Sequence, residues 1–392
     1  MQGENSLLIV NAGSSSIKAA VFPAASGDRP LLTATVERIG SSDAKSEIRG
    51  ADGKTVSTGA PAVSDLQTHN DACVWLLQTL QSLTGGYFAA AGHRVVHGGT
   101  DFVAPVLVDD TVLEALDRLV PLARTHQPHN LAAIRAVSSA FPDLPQIACF
   151  DTAFHATIPA ESRTIALPRE IIEKGVRRYG FHGLSYQWIA SRLPPDATQG
   201  KTIVAHLGNG ASLCGMVGGV SQATTMGFTP LDGLVMGERP GLTDPGAVLF
   251  LFEELGMTTD QVRQILFKES GLKGISGLSN DMRVLMASDA PAAKLAIDVY
   301  THRIVREIGA IAAEIGGVDA LVFTAGIGEN AAAIRAAVVE GCGWLGCSLD
   351  SSANEKAASC ISASGSRMTA HVIPTNEEAV IADAMRRLLN GL

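Results

Sequence analysis

Apolar residues recur along this chain in two rhythms. Through residues 6–22, Leu, Ile, Val and Ala crowd both sides of the polar interruption Asn11-Ala-Gly-Ser-Ser-Ser-Ile-Lys18. That pattern predicts two buried β-strands joined by a tight turn. The polar stretch 40–60 reads as strand and turn or a surface excursion. From 70 to 84 the apolar positions Val74, Leu77 and Leu80 fall at helical spacing, and Gly85-Gly86 ends the helix. A short strand and loop follow at "GHRVVHGG", then helices over about 111–123 and 129–141 joined by "RTHQPH". "LPQIACFDTAFHATIP" reads as a buried strand that runs out into a loop carrying Asp151 and His155.

The second half restarts with "KTIVAHLGNGASLCGMVGG", again strand, glycine turn, strand. Asp244-Pro245 predicts a helix start, with the acid as N-cap and proline at the first helical position, and Gly256 a stop. The longest predicted helix, about 290–315, places Ile297, Ile304, Ile308, Ile311 and Ile315 on one face and ends at Gly316-Gly317. "ALVFTAGIGEN" predicts a strand feeding a glycine turn, and Thr375 with Glu378 predicts a capping box that opens a terminal amphipathic helix.

Laying "LLIVNAGSSSIKAAVF" over "TIVAHLGNGASLCGMV" sets Asn11 on His206, Gly13 on Gly208 and Ser14 on Asn209. A strand–turn–strand unit used once in each half predicts two related α/β domains, 1–150 and 151–379, facing one another across a cleft.

Composition narrows the class. The chain has 392 residues, 46% of them hydrophobic, with 40 glycines and 5% aromatics, which suits a loop-rich α/β enzyme of two domains. A net charge of −9 without a basic cluster argues against nucleic acid or an anionic membrane as partner. No apolar run of membrane-spanning length occurs, and the first residues lack the pattern of a secretory leader. Six scattered cysteines without paired spacing read as reduced thiols of a cytoplasmic protein.

Glycine- and serine-rich turns present backbone N–H groups to phosphate oxygens. Serine hydroxyls add donors, and Lys18 adds a charge. One such turn alone reads as a plain hairpin; two at equivalent positions favour a polyphosphate site. Neither a P-loop nor a Rossmann fingerprint is present, since Lys18 lacks the preceding glycine and "GNGASL" and "GIGENA" both miss their last glycine. Arg94, Asp151, His155, His182, Arg239, Asp281 and Arg283 lie in glycine-flanked loops, a setting suited to anions because the guanidinium fork matches carboxylate and phosphate. Asn11 and Glu377 are oxygen donors of the kind magnesium takes sparingly from protein.

The segments "NAGSSSIK", "HRVVHGG", "FDTAFH", "RRYGFHG", "HLGNGAS", "TTMGFTPLDGLVMGERPG", "FTAGIGEN" and "PTNEE" occur in the order seen in acetate kinases, and the resemblance spans about residues 7–381. That family belongs to the superfamily of acetate and sugar kinases, heat-shock chaperones and actin. The resemblance implies two duplicated actin-like (ribonuclease H-like) α/β domains with mixed sheets and ATP between them. It further implies a terminal helix, 380–392, packed back on the first domain.

By the same resemblance, magnesium (or manganese) is held by Asn11 and Glu377, and ATP or ADP is the co-substrate. Lys18, Ser14, Ser16, His206, Leu207, Gly208, Asn209, Gly210, Asp281, Met282, Arg283, Gly326, Ile327, Gly328, Glu329 and Asn330 form the nucleotide site. Arg94 binds the acyl carboxylate, with Val96, Phe181 and Pro230 around the methyl group. Asp151, His182, Arg239 and His126 match catalytic positions. The implied protein is a cytoplasmic homodimer converting acetate and ATP to acetyl phosphate and ADP reversibly. Because the carboxylate acceptor is already ionised, Asp151 is expected to orient Arg239 or a metal-bound water rather than act as a base.

The chain departs from the family in four places. Arg124-Thr125-His126-Gln127-Pro128 replaces the usual "PLHNP", Leu242 stands where an acid is common, and Leu184 and Tyr186 differ beside His182. A propionate or butyrate kinase is the nearest alternative, since one methylene in an apolar pocket is worth only about 1–3 kcal/mol. A chaperone-like ATPase would leave Arg94, His182 and Arg239 without a task. A sugar kinase would have no use for a carboxylate-binding arginine.

Overall fold

The computed structural model describes residues 5–13, 16–56, 61, 66–85 and 87–390. Ser14 and Ser15 of the first turn, Gly86, and part of the 40–60 stretch lie outside the described residues. Contacts divide the chain into two compact units, Met1–Ala153 with Asn376–Leu392, and Phe154–Thr375.

The first unit is built on the strands β1 (Ser6–Ala12), β2 (Ser16–Pro23), β3 (Leu32–Glu37), β4 (Lys45–Gly50), β5 (Phe88–Val95), β6 (Val106–Leu107) and β7 (Gln146–Phe150). Their order in the sheet is β4-β3-β2-β1-β5-β7-β6. Central β1 is antiparallel to β2 and parallel to β5. Leu7, Leu8, Ile9 and Val10 are all buried, which is why this strand reads as a continuous apolar run rather than an alternation.

Helices His69–Thr84 and Gln127–Ala140 cover one face, where Leu76, Leu77, Ala133 and Val137 pack with Leu8 and Val10. Thr68 and Asp71 form a capping box at the start of the first of these helices, and Gly85 ends it at φ 69°. Helix Glu377–Leu389 packs on the other face. Gly92 of β5 makes that approach feasible, because a Cβ there would lie 2.5 Å from Ile381 Cγ2 and Met385 Sδ. The predicted 111–123 helix is broken into Asp110–Arg118 and a single turn, Val120–Leu122, because Pro121 has no N–H to continue the ladder. The terminal helix is capped by Asn376, whose side chain accepts from the Ala379 N–H, and not by Thr375. Thr375 is engaged instead through its N–H with Glu329 and through its hydroxyl with Ser185.

The second unit carries β8 (Lys201–Leu207), β9 (Ala211–Val217), β10 (Val220–Thr224), β11 (Ala320–Thr324) and β12 (Thr369–Val372), ordered β10-β9-β8-β11-β12. Pairing senses along this sheet are antiparallel, antiparallel, parallel, parallel. The series β3-β2-β1-β5-β7 of the first unit repeats them. Each unit is therefore a mixed α/β fold on the same strand plan.

The two turns correspond as well. Gly13 N–H donates to Ser16 O at 2.8 Å, and Gly208 N–H to Gly210 O at 3.1 Å. The ladders close at Ala12↔Ile17 and Leu207↔Ala211, so the first turn is one residue longer. Lys18, opposite Asn11, thus matches Ser212, opposite His206.

Asp244 caps helix Pro245–Glu253, and helix Pro291–Glu314 buries Tyr300, Ile304 and Ile308. The segment predicted as a glycine turn after β11 is a short helix, Ala325–Asn330. The Glu329 side chain accepts from the Ala325 N–H at 2.8 Å and so ties its first turn.

Candidate functional site

In the first unit, Asn11 and Lys18 oppose one another across the β1–β2 ladder and so point to one face. Arg94 stands near the end of β5, two residues beyond Gly92 and on the same face of the strand. Asp151 follows β7 directly, and its N–H is tied to Val95 O at 3.1 Å. Arg94 Nη2 donates to Asp151 Oδ2 at 2.6 Å, and Arg94 Nε to Oδ1 at 2.9 Å. Glu377 Oε2 approaches the same Nε at 3.7 Å.

Burial and the nearby carboxylates of Asp151 and Glu378 push Glu377 up to about 7, against the opposing pull of Arg94. Burial works against the Arg94 charge, but Asp151 and Glu377 more than compensate, so the guanidinium stays cationic. The Arg94 guanidinium thus faces two carboxylates, and crowding them together is part of what raises Glu377.

Glu377 and Asn11 are oxygen donors of the first unit, a donor type that suits a divalent cation. Among the described residues no three His, Cys, Asp or Glu side chains form a metal cage, so an ion held here would draw its other ligands from water and phosphate.

His126 is the residue before helix Gln127–Ala140, and its Nδ1 meets Thr125 Oγ1 at 2.8 Å. The buried amide of Asn130 accepts from Val96 N–H at 3.0 Å and donates to Ala12 O at 2.8 Å, which fixes Val96 against the end of β1. Gly13 O also receives His69 Nε2 at 2.9 Å. Ser16 lends its carbonyl to the turn, Lys18 is exposed, and Ser14 lies outside the described residues.

In the second unit, His182 adopts φ 60°, ψ 24°, a left-handed conformation uncommon for a residue with a side chain. Its ring stacks on His206 with centroids 4.1 Å apart. His182 Nδ1 meets Ser212 Oγ, and His206 Nδ1 meets Ser185 Oγ, each at 2.8 Å. Arg239 donates from Nη1 to Pro230 O at 2.8 Å. Burial pulls Arg239 down to about 10, with Glu238 opposing, so it remains charged at neutral pH.

Gly210 lies between these groups: a Cβ there would sit 2.8 Å from Arg239 Nη2 and 3.4 Å from His182 Nε2. The glycine gives a cation and an imidazole room to converge on a turn rich in backbone N–H. Phe181 is buried and passes its carbonyl to His155 Nε2 at 3.0 Å.

A cavity of about 800 Å³ opens beside this turn, lined by Gly208, Asn209, Asp281, Met282, Arg283, Gly326, Ile327 and Asn330, with Asn280, Met286, Ala287 and Ala331. Apolar side chains and three amides suit a flat heteroaromatic base with polar edges. Asp281 caps its helix through the Arg283 N–H and holds the Arg283 guanidinium, which keeps its carboxyl below the usual range. His206, Leu207, Gly210, Gly328 and Glu329 are not among the lining residues. Leu207 is core, and Glu329 braces the Ala325 and Thr375 N–H groups.

Ser212, Ser185 and Asn130, which the sequence did not mark as functional, and Thr375, which it marked as a cap, hold the candidate residues in place. Only Asn130 left a signal, an amide among apolar positions of a predicted helix.

The Acetokinase family model matches residues 6–383. An acetate kinase of Nitrobacter hamburgensis is 48% identical over 98% of this chain and 96% of its own length. One of Rhodopseudomonas palustris is 49% identical over 98% of each. The crystal structure of Porphyromonas gingivalis acetate kinase superposes with a TM-score of 0.87 at 36% identity, covering 98% of this chain and 100% of that one. A propionate kinase from Francisella tularensis superposes with a TM-score of 0.89 at 35% identity, covering 97% and 98%.

Proposed function

Because this chain belongs to the acetokinase family, we propose that it transfers the γ-phosphoryl group of ATP to the carboxylate of acetate, reversibly, giving acetyl phosphate and ADP. The observation that carries the acceptor assignment is the half-buried Arg94 guanidinium. One edge is held by Asp151, while Nη1 makes no hydrogen bond among the described residues. A carboxylate acceptor pairs with that remaining edge. Acetate is ionised near neutral pH, so no base is needed, and Asp151 serves to hold the fork.

The nucleotide takes the cavity beside Gly208 and Asn209, which sets its phosphates toward the glycine turn. Phosphoryl transfer needs positioning and charge neutralisation more than covalent help from protein. His182 and Arg239, converging on Gly210, supply donors to the equatorial oxygens. Asn11 and Glu377 would hold magnesium, or manganese in its place, which supplies neutralisation of phosphate charge. Val96, Phe181 and Pro230 are assigned to the acyl methyl group, and His126, fixed by Thr125, to the transferring group.

The protein is proposed to work as a homodimer in the cytoplasm. Helix Pro245–Glu253 supports the dimer: it has no buried residue, and Leu249 and Phe250 are 53% and 52% exposed. Six free cysteines support a reducing compartment. No helix among the described residues is long and apolar enough to cross a membrane.

Hydroxylamine trapping tests the assignment. With ATP and magnesium, acetate should yield hydroxamate faster than propionate or butyrate. No hydroxamate from any of the three would reject a carboxylate kinase, and a faster propionate reaction would reassign the acyl group.

A further inference from the structure

His182 is not held by its own segment alone. Its Nδ1 meets Ser212 Oγ at 2.8 Å, and the same oxygen meets the phenol of Tyr186, one turn along the helix that His182 precedes. Ser212 and Tyr186 are both fully buried, and Ser212 is the only hydrogen-bond partner of the phenol among the described residues. Burial pushes the Tyr186 phenol well above its usual range, so it keeps its proton. A buried phenol that failed to donate would leave its proton unsatisfied. Tyr186 therefore donates to Ser212 Oγ. The buried serine proton has no other acceptor among the described residues, so it is directed at His182 Nδ1, which accepts.

We propose that Tyr186 and Ser212 are positioning residues that fix His182 as the neutral imidazole with its proton on Nε2, the nitrogen that faces Gly210 and Arg239. The inference rests on the assignment of His182 to the transferring phosphoryl group. It adds the proton's location: Nε2–H donates to a phosphoryl oxygen and cannot take a proton from the substrate.

The surroundings point the same way. Facing the ring are His206 from β8, stacked at 4.1 Å, Arg239 across Gly210, and Tyr186 from the following helix. An added charge on His182 would sit beside the Arg239 cation and a second imidazole. His206 is anchored in parallel. Thr375 Oγ1 donates to Ser185 Oγ at 2.9 Å, and Ser185 Oγ meets His206 Nδ1 at 2.8 Å. Two stacked rings, each with Nδ1 held by a buried serine backed by a second hydroxyl, can lie 4.1 Å apart when both are neutral.

The test is long-range proton–nitrogen NMR of the full chain with labelled histidine, the His182 signals being identified by their loss in His182→Gln. The expected spectrum shows a protonated Nε2 and a bare Nδ1 from pH 6 to 8. Tyr186→Phe frees the serine to donate or accept, so the tautomers should mix. Ser212→Ala should mix them further and lower kcat about 10–100-fold, while KM for acetate and ATP stays within about twofold. Ser212→Thr, which keeps the hydroxyl, should restore the spectrum. A His182 protonated on Nδ1, or on both nitrogens at neutral pH, would overturn the proposal. So would unchanged spectra and kcat in Ser212→Ala. The ring signals are read without turnover, so absence of hydroxamate from the wild type would reject the acetate reaction and leave the tautomer result standing.

Discussion

Arg94 lies across Asp151, with Nη2–Oδ2 at 2.6 Å and Nε–Oδ1 at 2.9 Å, and the carboxylate beneath it is almost fully buried. The pair turns a flexible arginine into a fixed fork whose Nη1 makes no hydrogen bond among the described residues. Asp151 is therefore an orienting group for Arg94 within its own unit, while Arg239 is held by the Pro230 carbonyl.

Replacing Asp151 by Asn should cost kcat/KM for acetate at least about tenfold, because a neutral amide gives up the charge-assisted bidentate pair. Arg94→Lys should raise KM for acetate by about 10-fold or more with little effect on KM for ATP, since an ammonium cannot fork. Steady-state kinetics at saturating ATP checks both. Near-wild-type values for Asp151→Asn would remove the orienting role.

Gly210→Ala places a methyl group 2.8 Å from Arg239 Nη2 and 3.4 Å from His182 Nε2. The expected outcome is a kcat loss of about 10–100-fold, of the size seen when a transition-state donor is displaced. The melting temperature should stay close to that of the wild type, because the affected groups are side chains rather than core. A fully active variant would show that the two groups do not have to converge there.

Stability should fall on mild acidification. Burial holds His93, His97 and His155 near 4, against an ordinary 6.5; Gln146 and the Phe181 carbonyl only partly offset it for His93 and His155. Between those values the unfolded chain binds more protons than the folded one. The contribution is therefore complete above about pH 6.5 and is lost as pH falls toward 4, at about 1.4 kcal/mol per pH unit for each histidine. Urea midpoints measured at pH 7.5 and 5.5 should differ clearly, and equal midpoints would contradict the burial assignment.

Phe250→Asp on helix Pro245–Glu253 should halve the mass measured by light scattering if that apolar helix forms the dimer contact. A wild type that already scatters as a monomer would refute the dimer. An unchanged dimer mass in the variant would move the contact elsewhere.

Much of the frame was legible in the residues. Strands β1 and β8 announced themselves because central strands of mixed sheets are apolar on both faces, and the matching turns exposed the duplication. Arg94, Asp151, His182 and Arg239 stood out as charged residues in glycine-flanked loops. The supporting hydroxyls did not. Ser212 and Ser185 are small polar residues in buried segments, with no periodicity or spacing to mark them, and their roles come from partners far off in sequence. Thr375 looked like a cap because its local pattern is right, yet Glu329 and Ser185 claim it through tertiary contacts. The "AGIGEN" segment looked like a turn because glycine favours turns, while the Glu329 side chain stabilises a helical one.

The proposed reaction is a single direct transfer: the acetate carboxylate attacks the γ-phosphorus in line, with protein groups neutralising charge and none becoming phosphorylated. ATP made chiral at the γ-phosphorus with oxygen isotopes tests it most directly. A single displacement gives acetyl phosphate with inverted configuration. Retention would mean two displacements through a phosphorylated residue and would contradict it.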